Sequence, residues 1–262
     1  MSRSLRQHWP EYLMEAVELG LFMLSACAFT VLLYHPASPL ANSFPNDILR
    51  RASMGIAMGS TAIAIIFSPL GKRSGAHFNP AVTLTYFRLG KVAPVDAAFY
   101  IVAQFIGGTT GVLVAMQLLG PAIAEPHVNY ATTRPGPHGP LVAFTAELLI
   151  SFVLMSVVLR VSNTTKLARW TGVFAGTLVA TYITFESPIS GMSMNPARTF
   201  SSALGANVWM SLWIYFVAPP IGMLLAAEVF TRGTTRRSAR CAKIHHHNNQ
   251  RCIFRCNFEP TT

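Results

Sequence analysis

Residues 74–84 read SGAHFNPAVTL, and residues 190–200 read SGMSMNPARTF. The two stretches align without a gap and share six of their eleven positions. A single Asn-Pro is a common turn signal, but two copies in one frame are an internal repeat. Each copy is also a helix start. Asn is a favoured N-cap, Pro fits the first helical position because its missing N–H needs no partner there, and Ala extends the helix without crowding. Asn79-Pro80-Ala81 and Asn195-Pro196-Ala197 are therefore expected to open two short helices.

The sequence around these motifs is 52% hydrophobic and only 11% charged, too apolar for an ordinary soluble domain. Six apolar stretches approach the roughly 20 residues a helix needs to cross hydrocarbon. They cover residues 13–34, 54–70, 97–119, 141–161, 171–189 and 208–230, the second being short. Each motif follows the second stretch of a group of three, and each group opens with a glutamate in its first stretch, Glu15 and Glu147. An odd number of spans per repeat inverts the second copy, so the two motifs enter from opposite sides and meet near the midplane. The expected fold is an all-α membrane protein with six transmembrane helices and two half-helices in an inverted repeat. Repeat one spans about residues 11–119 and repeat two about 141–230, within a channel domain over 1–230. A basic tail over 231–262 is expected to be disordered, with Arg236, Arg237, Arg240 and Lys243 near anionic lipid heads.

The net charge of +10 does not point to nucleic acid, because the basic residues lie in the gaps between apolar stretches. With both termini in the cytoplasm, 16 of the 20 Lys and Arg fall on the cytoplasmic side. Arg50 and Arg51 are discordant and are read as anchors at the outer interface. Residues 1–11 show no cleavage site, so no removable signal peptide is expected. Cys27 lies in the first span and Cys241, Cys252 and Cys256 in the tail, which predicts no structural disulfide. The tail cysteines and His245, His246 and His247 fit no standard zinc spacing, so no metal is assigned. No catalytic residue, cofactor or phosphate-binding glycine loop is found, and an enzyme is not expected.

With these residues in place, the sequence resembles the aquaporin (major intrinsic protein) family in its bacterial type, over about residues 11–230. The resemblance rests on the doubled motif, Arg198 after the second copy, Glu15, Glu147, Pro219 and the Tyr100, Gln104 and Gly107 pattern. It implies a passive channel for water and small uncharged solutes that excludes protons and ions, in the lipid bilayer of a plasma (inner) membrane, assembled as a homotetramer. It also implies that Glu15 and Glu147 hold the backbone of the motif loops. Two half-helix N-termini facing the pore centre raise the barrier to cations long recognised in pores of this type.

Arginine at membrane depth costs about 2.5–3.5 kcal/mol on insertion scales, so Arg198 is expected to have a task there. The resemblance places it at the narrowest constriction, with Gly59, Ile183 and Met192 as partners by their distance from the motifs. Water-selective members carry an aromatic where Gly59 stands and a histidine where Ile183 stands, which favours a wider filter. Thr199 and Ala203, in place of the Asp and Lys of glycerol conductors, and the Tyr215-Phe216 pair point toward water instead. The competing readings are a facilitator for glycerol or a metalloid hydroxide, a secondary transporter with inverted repeats, and a non-conducting membrane scaffold. His77 is expected at the cytoplasmic pore mouth.

Overall fold

The irregular backbone that leads into two half-helices is stable at membrane depth only where long helices enclose it, since unpaired backbone groups cannot face lipid. A computed structural model of the chain describes residues 3–232 and 238–258. In chain order the helices are α1 (Arg3–Tyr34), α2 (Pro39–Asn42), α3 (Asp47–Phe67), α4 (Pro69–Ser74), α5 (Pro80–Arg88) and α6 (Pro94–Leu119). They continue with α7 (Pro140–Ser162), α8 (Thr171–Phe185), α9 (Ser187–Ser190), α10 (Pro196–Ala206) and α11 (Leu212–Arg232). No strand occurs among the described residues.

The six long helices pack most extensively as three pairs, α1 with α6, α3 with α8, and α7 with α11. Small residues set their separation. A Cβ built on Gly107 of α6 would stand 2.0 Å from the Ala16 carbonyl oxygen of α1, so the two backbones touch there. At one end of this pair the buried Asp96, in the first turn of α6, accepts from Tyr12 Oη at 2.6 Å and contacts His8 Nδ1 at 2.9 Å. The outward face is apolar: Ile56, Ile106, Leu118, Leu141 and Phe185 are all exposed.

Residues 4–34, 94–124, 140–162 and 212–232 are long and apolar enough to cross a membrane. The other two expected spans differ from that pattern for local reasons. α3 begins seven residues before the expected position 54, because Asn46 caps it by accepting from Leu49 N at 2.9 Å and Asp47 favours its first turn. It stops at Phe67 because Ser68 precedes Pro69 and takes an extended conformation, ψ 162°. α8 has 15 residues, a rise of about 22 Å, and the expected span to 189 is completed by the separate turn α9. Arg50 and Arg51 lie at the start of α3, where Arg50 Nη2 donates to Ala41 O at 3.2 Å and Arg51 Nε to Thr184 O at 3.0 Å.

Residues 238–258 do not follow the expectation of disorder. They form no helix or strand, yet Ala239, Cys241, Ala242, Lys243, Ile244 and Phe254 are buried against the helical body. Backbone bonds hold this segment: Ile244 N to Gly75 O at 3.0 Å, and Arg255 N to Lys91 O at 2.9 Å. Arg240 N donates to Asn163 Oδ1 at 2.7 Å. The placement expected for Arg236 and Arg237 lies outside the described residues.

Candidate functional site

The two motifs meet head to head. Asn79 caps α5 by accepting from Ala81 N at 2.9 Å, and Asn195 caps α10 by accepting from Ala197 N at 3.1 Å and Arg198 N at 3.2 Å. Pro80 and Pro196 take the first helical positions. Each asparagine then reaches across to the opposite loop: Asn79 Nδ2 donates to Met194 O and Asn195 Nδ2 to Phe78 O, both at 2.8 Å. A carboxamide nitrogen carries two hydrogens, so one remains on each side chain after this brace is made.

The loops before the motifs are strained in the same way. After Gly75 (φ 104°) and Gly191 (φ 84°), the non-glycine residues Ala76 (φ 58°), Phe78 (φ 29°), Met192 (φ 50°) and Met194 (φ 54°) all lie in the left-handed region. Such residues cost about 1–3 kcal/mol each and persist only where their surroundings impose them. Two buried carboxylates do so. Glu15 accepts from His77 N at 2.9 Å and Phe78 N at 2.7 Å, and Glu147 accepts from Ser193 N and Met194 N at 2.7 Å each. Tyr100 Oη donates to Ser74 O at 2.7 Å, and Tyr215 Oη likewise donates to Ser190 O.

The halves differ at one hydroxyl. Ser190 Oγ donates to Glu147 at 2.8 Å, whereas Ser74 Oγ donates to Glu18 at 2.6 Å, while Glu15 takes Gln104 Nε2 at 2.7 Å. Glu18 therefore belongs to the loop support, a role the sequence reading did not give it; its position one helical turn after Glu15 was the available signal.

A cavity of about 280 Å³ runs past both motifs. Its lining includes Asn79, Asn195, Ile183, Met192 and Arg198, with Tyr34, His127 and Ser187 toward one end and Ile66, Val158 and Ile244 toward the other. Arg198 Nη1 is buried without a hydrogen-bond partner among the described residues. A buried, unpaired donor of this kind is costly, and it is available to whatever enters the cavity.

Gly59 does not sit where its spacing placed it. It is absent from the cavity lining, and a Cβ built there would meet Gly176 O at 2.5 Å and Ala180 Cβ at 3.0 Å. Gly59 is thus part of the contact between α3 and α8. The cavity face of α3 carries Met54, Met58, Ala62 and Ile66. The physical reason is the break at Ser68-Pro69: counting back from Asn79 assumes one continuous helix, and a slip of one residue turns the side chain by about 100°. The regular spacing of 54, 58, 62 and 66 was the legible clue to Met58.

His77 lines the cavity and is buried, with Nδ1 3.1 Å from Thr83 Oγ1 and Nε2 2.8 Å from Ala242 O. Its ring stacks on Tyr86 at 5.2 Å and on Phe254 of the tail at 5.4 Å. Next to it Lys243 Nζ donates to Gln250 O at 3.0 Å, and burial pushes the pKa of this amine below the ordinary lysine value. The tail therefore covers the end of the cavity next to the first motif.

The sequence profile of the family described as Major intrinsic protein matches residues 2–230. Aquaporin NIP2-3 of Zea mays is 33% identical over 216 residues, covering 81% of this chain and 69% of the relative. A probable aquaporin AqpM of Archaeoglobus fulgidus is 36% identical over 185 residues, 68% of this chain and 74% of the relative. Among solved structures, the aquaglyceroporin from Plasmodium falciparum superposes with a TM-score of 0.70 at 18% identity, covering 86% of this chain and 96% of that one.

Proposed function

The chain belongs to the major intrinsic protein family, and from that premise we propose how its cavity conducts. It is an integral membrane channel for water and small solutes. The permeation path runs along the cavity between Asn79 and Asn195, and the constriction is formed by Met58, Ile183, Met192 and Arg198. The observation that carries this reading is that both capping asparagines and the unpartnered Arg198 Nη1 line one cavity. A water passing the asparagines accepts from their remaining amide hydrogens, which occupies its oxygen and interrupts proton relay. The positive ends of α5 and α10 and the Arg198 charge oppose cations while leaving neutral solutes free to pass.

Passage of a polyol such as glycerol belongs to the same reading. Met58, Ile183 and Met192 contribute apolar walls, and the thioethers of the two methionines are flexible enough to move aside. The room expected from a glycine at position 59 is taken by contact with α8, so Met58 and Met192 set the width. Both termini in the cytoplasm of a plasma (inner) membrane and a homotetrameric assembly complete the proposal; the charge distribution of the loops supports the first.

Arg198→Val tests the constriction. It removes the fixed charge and donor set while leaving both caps in place, so proteoliposome water flux should persist and proton or cation leakage should rise. Unchanged ion exclusion would assign the whole barrier to the half-helix ends and remove Arg198 from the account.

A further inference from the structure

The tail carries a set of side chains that conduction leaves unused. One ligating atom from each of Cys241, His246, Cys252 and Cys256 lies within 4.8 Å of every other. Cys241 Sγ is 3.5 Å from Cys252 Sγ, and Cys256 Sγ is 3.0 Å from His246 Nε2. All three cysteines are free. Around a tetrahedral zinc with Zn–S bonds of about 2.3 Å, neighbouring sulfurs stand roughly 3.8 Å apart, so the four atoms need little movement to close on one ion.

The donor set is chemically selective. Three thiolates and an imidazole suit a borderline or soft cation, whereas calcium and magnesium require oxygen. Phe258 N donates to Cys256 Sγ at 3.4 Å, so one of the sulfurs already accepts a backbone hydrogen bond. Phe258 also stacks on the His246 ring at 4.4 Å and fixes its plane.

Position gives the cluster a consequence. Between Cys241 and Cys252 the chain places Ala242 O on His77 and Ile244 in the cavity lining. Between Cys252 and Cys256 it places Phe254 against His77 and Tyr100. With no helix or strand in this segment, an ion joining its four ligands would tie the two arms of the loop together over the mouth.

We propose that Cys241, His246, Cys252 and Cys256 bind a thiophilic divalent cation of the zinc type, and that the filled site clamps Ile244 over the end of the cavity and lowers flux. The clamp rests on the reading of the cavity as the pore, whereas the metal site does not.

The experiment uses the full chain, purified under reducing conditions, either loaded with zinc or stripped by a chelator before reconstitution. Elemental analysis should find one zinc per loaded wild-type chain and none in the Cys252→Ser/Cys256→Ser variant; His246→Ala should weaken retention independently. Water flux of the wild type should rise about fivefold or more on stripping, the lower end of ordinary allosteric coupling, and fall again on reloading. The double variant should conduct at the stripped level whatever the zinc. Equal zinc in wild type and variant would overturn the site. Zinc bound at the site without change in flux would overturn the clamp. Absence of flux in every preparation, with zinc still bound by the wild type, would instead contradict the pore reading and with it the clamp.

Discussion

Glu147 shows how much a single carboxylate does in this molecule. It accepts from two backbone amides and one hydroxyl of a loop whose residues Met192 and Met194 are held at positive φ. Glu147→Ala would leave two buried N–H groups unpaired at about 1–3 kcal/mol each. The thermal transition of the detergent-solubilised protein should fall on the order of 10 °C, with loss of water flux. Glu147→Gln keeps one acceptor oxygen and should fall less. The same scale separates Met58 from Gly59. Gly59→Ala pushes a methyl into the α8 backbone and should cost about 1–3 kcal/mol of stability. Met58→Ala should leave the fold intact and raise the ratio of glycerol to water permeability. If instead Gly59 substitutions change selectivity and Met58 substitutions do not, the face assigned to the cavity is wrong. The asparagine caps were legible in sequence because Asn-Pro-Ala specifies a local geometry without reference to the rest of the chain. Met58 was not, because the face a helix presents depends on the break at Ser68-Pro69, which lies between Met58 and the motif used to count.

At the scale of elements, close contact between backbones does what apolar burial does in water, because lipid is as apolar as the helix surfaces. Gly107 is the tightest point between α1 and α6. No rotamer change relieves a clash with the Ala16 carbonyl, so Gly107→Leu should cost upward of about 3 kcal/mol and appear as loss of folded protein on size-exclusion chromatography. A folded, conducting Gly107→Leu protein would show that α1 and α6 can separate without harm. The six long helices were legible from hydropathy, and their pairing was not, since nothing in an apolar run says which neighbour it meets. The early start of α3 was missed for a similar reason: Asp47, Arg50 and Arg51 make its first turn look like a loop, while the cap by Asn46 makes it a helix.

For the whole molecule, the inverted repeat and the charge asymmetry together predict a topology. A reporter fused after Thr262 should label the cytoplasmic side, and one inserted near Pro137 the outside; the reverse labelling would remove the six-span arrangement with internal termini. The tail is where sequence and structure diverge most. Its basic, polar composition predicts disorder, and its contacts with Gly75, His77 and Lys91 are long-range pairings that composition does not encode. The central claim is that solute moves passively through the cavity between Asn79 and Asn195. The direct measurement is stopped-flow swelling of proteoliposomes holding chelator-stripped protein, repeated with and without sodium, proton and potential gradients. Water permeability should rise well above that of empty liposomes and be the same under every gradient. Swelling no faster than in empty liposomes, or uphill solute accumulation driven by an ion gradient, would contradict it.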